Sequence, residues 1–372
     1  MTAHRYVLLD GFRGIAAIAV VIGHFTQHTG HRNIFPSAGL AVDLFFCLSG
    51  FVIAYSYYDR IISGMSFGDF ARRRLIRLYP IYIIGLALGT LALSAKKICD
   101  LTDYTWLSIV KATALNLFYF PYFNNNYIGI FKDQVHGAIF PANHPFWSLF
   151  FELLANLAFF VAATKSRRVP LILTTLAGFG LLIATVVYGE EPGWGADNFI
   201  GGIPRVLFSF FAGVVIFQYR DKLGVIPRMK PAFLMIGLSA LFLVPAFHGH
   251  SWYWLSLALL GVPLVVAAGS LCVLDKDQLL GKSSVYFGRL SYPIYCVHFP
   301  LLLIVSSFFD ASTPYPLPHN ALIMTGSLVA TFVLTHMLMQ YVDEPIRGWL
   351  SRRFLSSRAL PQRDPRSATS TP

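Results

Sequence analysis

Long apolar stretches, separated by short polar segments, run along almost the whole chain. A run of about 17–25 mainly apolar residues can cross a bilayer as an α-helix, and a helix leaves no backbone hydrogen bond unsatisfied in lipid. Such runs lie at 8–28, 38–58, 78–95, 145–164, 168–188, 202–219, 231–247, 253–273, 288–309 and 320–342. This pattern predicts an all-α fold, a polytopic transmembrane helical bundle of about ten spans.

A further apolar stretch, 104–123, is interrupted by Lys111, Asn116 and Pro121. Suppose that it lies at the outer surface and that the N-terminus is cytoplasmic. Most of the 29 lysines and arginines then fall on the cytoplasmic side, as the positive-inside rule requires. If the stretch crosses the membrane, every later loop changes side and this asymmetry is lost. The charge pattern therefore predicts ten spans with both termini in the cytoplasm.

The composition agrees with a chain embedded in a lipid bilayer. Hydrophobic residues make up 55% of it and charged residues 13%, whereas about a quarter of the residues of a soluble domain are charged. The net charge of +11 comes from basic residues between the apolar runs and in the tail, without interleaved aromatic residues. Nucleic acid is therefore not an expected partner. The four cysteines lack metal-ligand spacing, so no metal site is expected.

The same patterns divide the chain into two parts. Residues 1–350 form a transmembrane domain, and residues 351–372 form a basic cytoplasmic tail whose Ser, Pro and Arg content predicts disorder. Between the third and fourth spans, about 96–144, the chain is rich in amides, aromatics and histidines: Asn124, Asn125, Asn126, Tyr127, His136, Asn143 and His144. Such a segment suits contacts to a sugar or, more commonly, an ordinary membrane-interface loop.

Two ionisable residues lie on one face of the first span. Arg13 and His24 are eleven residues apart, which is about three helical turns and roughly 16 Å along the axis. Alone, Arg13 could simply snorkel to the interface, and His24 could be a hydrogen-bonded interior histidine. Their shared face favours function, because ionisable groups inside spans usually face a cavity.

Histidine suits a general base, since its unperturbed pKa lies near 6.5. A carboxylate commonly orients such a base. The candidates for this role are Asp43 at the head of the second span and Glu152 in the fourth, because both are expected at the outer side with His24.

Four arginines lie within six positions at the cytoplasmic start of the third span: Arg72, Arg73, Arg74 and Arg77. They could be an ordinary positive-inside anchor or a phosphate clamp, since guanidinium groups bind phosphate through two parallel hydrogen bonds. Coenzyme A carries several phosphates and is cytoplasmic. The chain has neither a GxGxxG nor a Walker motif, so dinucleotide and nucleotide-hydrolase chemistry have no support.

Several stretches are similar, in order, to the motifs of one known family. They are residues 9–17 (LDGFRGIAA), 41–51 (AVDLFFCLSGF), 73–80 (RRLIRLYP), 147–152 (WSLFFE), 288–298 (GRLSYPIYCVH) and 343–347 (DEPIR). Arg13 and His24 match an arginine–ten residues–histidine signature. On these motifs the chain resembles membrane acyltransferase family 3, which O-acylates surface polysaccharides, lipid-linked sugars and some antibiotics. One departure is Ala41, where the family usually has glycine.

The resemblance implies a multi-pass enzyme of the bacterial inner membrane. It implies no bound cofactor, and it implies acyl-CoA, by default acetyl-CoA, as the donor for a sugar, glycan or lipid-linked acceptor. His24 would be the catalytic residue, and Arg73, Arg74 and Arg77 would bind the donor. The family motifs also contain the residues expected to contact substrate: Trp147, Ser148, Ser291, Tyr295 and His298.

Three of these residues can also be interpreted from their spacing. Ser291, Tyr295 and His298 follow i, i+4, i+7 spacing and so share one helix face. They could line a cavity or merely hydrogen-bond neighbouring helices.

Two alternatives stay open at this point. His24 could deprotonate the acceptor hydroxyl, or it could itself be acylated first. A proton-coupled transporter would also suit ten spans with buried Arg, Glu and His, although no two-fold internal repeat is visible in the sequence.

Overall fold

The computed structural model describes residues 6–28, 33–130, 133–189, 191–225, 229–244, 250–308 and 317–355. The α-helices in these ranges are α1 Val7–His28, α2 Leu40–Ile62, α3 Phe67–Ile98, α4 Trp106–Leu117, α5 Trp147–Lys165, α6 Val169–Tyr188, α7 Phe199–Tyr219, α8 Pro231–Phe242, α9 His250–Ser256, α10 Val262–Leu271, α11 Leu279–Phe308, α12 Leu317–Leu338 and α13 Glu344–Leu355. Two π-helical turns, Leu257–Gly261 and Met339–Asp343, join α9 to α10 and α12 to α13. Two 3-10 turns, His144–Phe146 and Arg220–Val225, precede α5 and follow α7.

Within the described ranges, nine helical segments are long and apolar enough to cross a membrane. They are Val7–Gln27, Leu40–Ile62, Phe67–Ile98, His144–Lys165, Val169–Tyr188, Phe199–Gly224, Ser251–Leu271, Leu279–Ser307 and Leu322–Leu355. The predicted all-α membrane bundle is confirmed. The cytoplasmic position of the termini stays a prediction. Helix α13 continues to Leu355, so the predicted domain boundary at 351 falls inside a helix, and residues 356–372 lie outside the described residues.

Helix α8 corresponds to the predicted span at 231–247, although its helical part is short. Just before α8, the Met229 carbonyl accepts a hydrogen bond from the Cys272 thiol at the end of α10. Gly269, close to that thiol, packs against the start of α1. Just after α8, the Val244 carbonyl accepts from Ser37, at the level of the far end of α1. The segment 229–244 therefore runs from the level of one end of α1 to the level of the other, although its helix of twelve residues is shorter than the nine candidate spans.

Helices α1 and α11 pack closely and run parallel. Gly11 lies against Ser284 and Gly14 lies against Phe287. The residue numbers therefore rise in the same direction along both helices. A Cβ atom on Gly14 would lie only 2.5 Å from the Phe287 Cβ. Two transmembrane helices of one chain are parallel only if an odd number of membrane crossings lies between them in the sequence. The six long intervening helices together with α8 satisfy this requirement.

The stretch 104–123 is not a long helix. Helix α4 covers only Trp106–Leu117, twelve residues, which is about 18 Å and too short to cross the hydrocarbon core. A two-stranded antiparallel hairpin follows, β1 Tyr127–Ile130 and β2 Asp133–His136, which the all-α prediction did not contain. The described residues of 99–143, here called the cap segment, pack onto the ends of α1, α3 and α11 through a second apolar core that contains Tyr104, Ile128 and Ile130.

Candidate active site

Two histidines from distant parts of the chain meet between α1 and α11. The Nδ1 atom of His24 lies 3.0 Å from the Nε2 atom of His298. The two rings are nearly parallel, with an interplanar angle of 10° and centroids 5.2 Å apart. The glycine contacts between α1 and α11 bring the two backbones close enough for this pairing.

The hydrogen bonds around His298 assign the protons of the pair. Its Nδ1 atom lies 3.0 Å from the carbonyl oxygen of Ile294. A carbonyl only accepts, so this nitrogen carries a proton and Nε2 of His298 is the acceptor. Nδ1 of His24 therefore donates, and Nε2 of His24 is the unprotonated nitrogen. This arrangement orients a base as a catalytic triad does, with an imidazole in the place of the carboxylate.

An inner cavity of about 120 Å³ lies beside the arginine-rich start of α3. Arg13, Arg74, Arg77 and Glu152 supply its charged groups. Arg74 and Arg77 project to one side because they are three residues apart in a helix. Arg73 is not among the described residues that line this cavity, since a step of one residue turns the side chain by about 100°. Apolar side chains of α2, Phe45 and Phe46 among them, form much of the remaining wall.

An outer cavity of about 300 Å³ contains His24. His144, Trp147, Glu191 and Trp194 are among its other lining residues. Val42 and Tyr295 border both cavities. The cavity of the arginines and the cavity of His24 thus adjoin, with Val42 and Tyr295 in the wall of both.

Tyr295 is fixed at the boundary between the cavities. Its hydroxyl lies 2.7 Å from the Ser148 hydroxyl and donates to the Pro145 carbonyl at 2.9 Å. Ser148 and Ser291 line the inner cavity, and the Ser291 hydroxyl also bonds the Gly288 carbonyl at 2.8 Å. The predicted substrate residues Trp147, Ser148, Ser291 and Tyr295 therefore all reach a cavity.

His298 differs from the other predicted substrate residues. It is fully buried, and its hydrogen bonds go to His24 and the Ile294 carbonyl. It is not among the described residues that line either cavity. In the structure His298 thus faces His24 and neither cavity, and the expected contact of His298 with substrate stays a prediction.

The two carboxylates expected to orient His24 have arginine partners. Glu152 accepts from Arg74 at 2.9 Å and from Ser49 at 2.9 Å. Asp43 accepts two hydrogen bonds from Arg205, at 3.0 and 2.9 Å. Buried carboxylates need a cation nearby to offset their loss of hydration. In the structure His298 lies against His24 and the two carboxylates lie against arginines, and the catalytic roles expected of Asp43 and Glu152 stay predictions.

Arg205 was not among the predicted site residues. It is 1% exposed and also donates to the carbonyls of Gly39 and Pro192. Its guanidinium lies 5.4 Å from the ring of Trp147 and 5.0 Å from that of Trp254. Trp194 and Glu191 of the outer cavity were also missed. Both residues lie in a loop, where the sequence has no helical periodicity from which a cavity-facing position could be predicted.

Most of the polar residues of the cap segment serve its own structure. Asn143 donates to the Cys296 carbonyl at 2.7 Å. Asn124 donates to the carbonyls of Tyr122 and Ala138 and accepts from Tyr104 at 2.6 Å. Burial raises the pKa of Tyr104, which keeps this donor protonated. Of the polar residues predicted at about 96–144, His144, which directly follows the cap segment, lines the outer cavity.

Comparisons with known proteins identify the family of the chain. A family profile described as an acyltransferase domain matches residues 6–337. Protein 2 in the picA locus of Rhizobium radiobacter is 36% identical over 167 residues, which cover 41% of this chain and 79% of that protein. The exopolysaccharide production protein ExoZ of Rhizobium meliloti is 25% identical over 326 residues, 85% of this chain and 92% of the relative.

A longer relative is similar over almost the whole chain. The peptidoglycan O-acetyltransferase OatA of Listeria monocytogenes is 23% identical over 374 residues, which cover 93% of this chain but only 56% of the relative. No solved structure matches the chain significantly. Because the family profile covers nearly all of the described helices, the chain belongs to the acyltransferase family that its motifs resemble, membrane acyltransferase family 3, and it is a multi-pass membrane acyltransferase.

Proposed function

We propose that the protein transfers an acyl group, by default acetyl, from acyl-CoA in the inner cavity to a hydroxyl of a glycan in the outer cavity. His24 is the general base, and the bacterial inner membrane is the site of the reaction. The observation that carries the proposal is the hydrogen-bond chain from the Ile294 carbonyl through His298 to His24 at the wall of the outer cavity. The names of two relatives, a peptidoglycan O-acetyltransferase and an exopolysaccharide production protein, support a glycan acceptor.

The inner cavity suits the donor. Arg13, Arg74 and Arg77 line it, with Glu152 as a counter-charge. Arg347 lies close enough to act electrostatically on Arg77. Clustered guanidinium groups bind phosphate oxygens through paired, charge-assisted hydrogen bonds. The apolar wall from α2 then accommodates the uncharged arm that carries the thioester.

The reaction joins a donor bound in the inner cavity to an acceptor bound in the outer cavity. The acceptor hydroxyl gives its proton to Nε2 of His24, and its oxygen forms a bond to the thioester carbonyl carbon. The carbon–sulfur bond then breaks, and the departing thiolate takes the proton back from the imidazolium to give free coenzyme A. The ester remains on the acceptor. If Nε2 attacks the carbonyl first, the carbon–sulfur bond breaks, coenzyme A leaves as a thiolate, and His24 carries the acyl group as an acyl-imidazolium. The acceptor oxygen then attacks this carbonyl, the bond from the carbonyl carbon to Nε2 breaks, and the acceptor proton passes to the thiolate.

The position of Tyr295 supports transfer between the cavities. Its ring borders both of them, and its hydroxyl is held by Ser148 and by the Pro145 carbonyl. A donor bound at Arg74 therefore has a route for its acyl end past Tyr295 to His24. Arg13 and His24 are roughly 16 Å apart along the same helix, so the thioester arm has to extend between them.

Radiolabelled transfer tests the proposal directly. Membranes containing the wild-type protein are given acetyl-CoA labelled in the acetyl group, together with envelope polysaccharide. We expect covalent label in the polysaccharide with the wild type and none with His24→Ala at an unchanged membrane level. Full activity of His24→Ala refutes His24 as the base.

A control variant and a second readout distinguish the transferase from a carrier. His336 of α12 lies outside both cavities and pairs with Tyr286, so His336→Ala should retain activity. Label that crosses the membrane without becoming covalently attached would indicate the carrier instead of the transferase. The family membership does not favour that alternative.

A further inference from the structure

Residues 193–198, which lead into α7, are held together by hydrogen bonds to one side chain. The side-chain oxygen of Asn198 accepts from the backbone N–H of Gly193 at 2.9 Å and of Gly195 at 3.0 Å. These two glycines flank Trp194. Asn198 is itself buried, with 9% of its surface exposed. Both neighbours of the indole are therefore anchored to the first turn of α7.

The same loop is tied to the cap segment. The backbone N–H of Ala196 donates to the Gly137 carbonyl at 3.1 Å, and Gly195 forms a strand-like bridge with Ala138. Glu191 adopts a left-handed conformation, with φ of 56°, which a non-glycine residue keeps only where its surroundings hold it. Trp194 is consequently placed before any ligand binds.

A row of four rings leads from this loop to the base. The ring centroids of Trp194 and His144 are 5.4 Å apart. Phe299 follows, 5.7 Å from His144 and 5.8 Å from His24. All four residues line the outer cavity, and Trp194 is half-buried. The wall of the cavity is thus a continuous aromatic surface that ends at the reacting nitrogen.

Amide groups face the same space. Gln27 and Asn33 line the cavity near His24. The side-chain oxygen of Asn33 accepts from the Phe35 N–H at 3.0 Å, which leaves its NH₂ group as the donor for a ligand. An aromatic surface beside amides binds a ring that has an apolar C–H face and hydroxyls at its edge.

We infer that Trp194 positions the acceptor in the outer cavity, with one sugar ring stacked on its indole and a hydroxyl of that ring directed to Nε2 of His24. The inference rests on the proposed function. The volume of about 300 Å³ lies at the small end of the range for ligand pockets, roughly 300–1,000 Å³, and so suits a single ring. Acyclic polyols such as glycerol or sorbitol have no flat C–H face and are poor acceptors here.

Steady-state kinetics with defined acceptors test the site. The purified protein in lipid nanodiscs receives labelled acetyl-CoA and cellotetraose or chitotetraose, with sorbitol and glycerol as acyclic probes. Trp194→Ala should raise the KM for the tetrasaccharide by about tenfold, in keeping with the loss of one good stacking contact. The KM for acetyl-CoA should not change, which also reports that the variant is folded.

Two further variants separate stacking from general damage. Trp194→Phe keeps an aromatic face and should retain most of the tetrasaccharide affinity. Trp252 is 55% exposed and is not among the described residues that line the outer cavity, so Trp252→Ala should behave as the wild type.

The outcomes distinguish this inference from the proposed function. An unchanged KM for the tetrasaccharide in Trp194→Ala, or acetylation of sorbitol as efficient as that of the sugars, overturns sugar stacking at Trp194 and leaves the transfer reaction standing. Failure of the wild type to label any carbohydrate, or full activity of His24→Ala, overturns the proposed function itself.

Discussion

Arg74 of α3 and Glu152 of α5 form an ion pair of 2.9 Å at the wall of the inner cavity. The pair joins two motifs that lie 78 residues apart in the chain. It also places one fixed negative charge among several guanidinium groups, so the cavity keeps an excess of positive charge with the arginine side chains held in place.

Replacing Arg74 should weaken donor binding specifically. We expect Arg74→Ala to raise the KM for acyl-CoA by at least about tenfold, because a charge-assisted phosphate contact is lost. The KM for the glycan should stay the same. Arg72 provides the control, since it is exposed and pairs with Asp69 at 3.4 Å. Equal effects of Arg72→Ala and Arg74→Ala would mean that the arginines act only as a membrane anchor.

His298 should affect turnover and leave substrate binding unchanged. Without it, Nδ1 of His24 loses its acceptor and the base is no longer held in the reactive tautomer. We expect His298→Ala to lower kcat by roughly 10²–10⁴-fold, the usual contribution of a positioned general base, with both KM values little changed. His298→Asn supplies a carbonyl acceptor and should recover part of the rate. A rise in either KM with normal kcat would instead assign His298 to substrate binding.

The Asp43–Arg205 pair should contribute to stability. Removing one partner leaves a buried charge uncompensated, so Asp43→Ala and Arg205→Ala should each destabilise the protein by about 3–5 kcal/mol. Thermal unfolding in detergent measures the loss. The exposed pair of Arg220 and Asp221, at 3.9 Å, is the control, and Asp221→Ala should change little. If the two buried-pair variants melt like the wild type, the ion pair is not structurally important.

Close packing of α2 against α7 should be sensitive to a single methyl group. A Cβ atom on Gly50 would lie 1.9 Å from the Phe210 carbonyl oxygen, which belongs to the backbone and cannot rotate away. Gly50→Ala should therefore destabilise the bundle by about 1–3 kcal/mol, as overpacking does. Gly237 of α8 has open space around it, and Gly237→Ala should be neutral in the same melting assay. Similar melting of both variants would contradict this packing.

Local patterns in the sequence were sufficient for the spans and for part of the site. Apolar run length indicates a transmembrane helix directly, and spacing within one helix places Arg13 and His24 on a common face. The partners of these residues depend on tertiary contacts. His24 and His298 are separated by 274 residues, and nothing in either segment specifies that they meet.

The carboxylates illustrate the same limit. Asp43 and Glu152 were expected at the outer end because their spans enter from that side. Which cation each one would meet depends on how α2 and α5 rotate about their own axes, and the spacing of apolar residues defines that rotation poorly in helices that are apolar on most sides. The hairpin β1–β2 escaped prediction because each strand has only four residues.

The parallel packing of α1 and α11 has a consequence for biogenesis. The first helix enters the membrane long before its partner has been synthesised, and until then the imidazole of His24 has no acceptor for its ring N–H. The contact between His24 and His298 forms only when α11 inserts beside α1, after all the intervening helices have crossed. Under the proposed function, a nascent or truncated chain that carries His24 and the arginines of α3 but lacks α11 is therefore expected to be inactive.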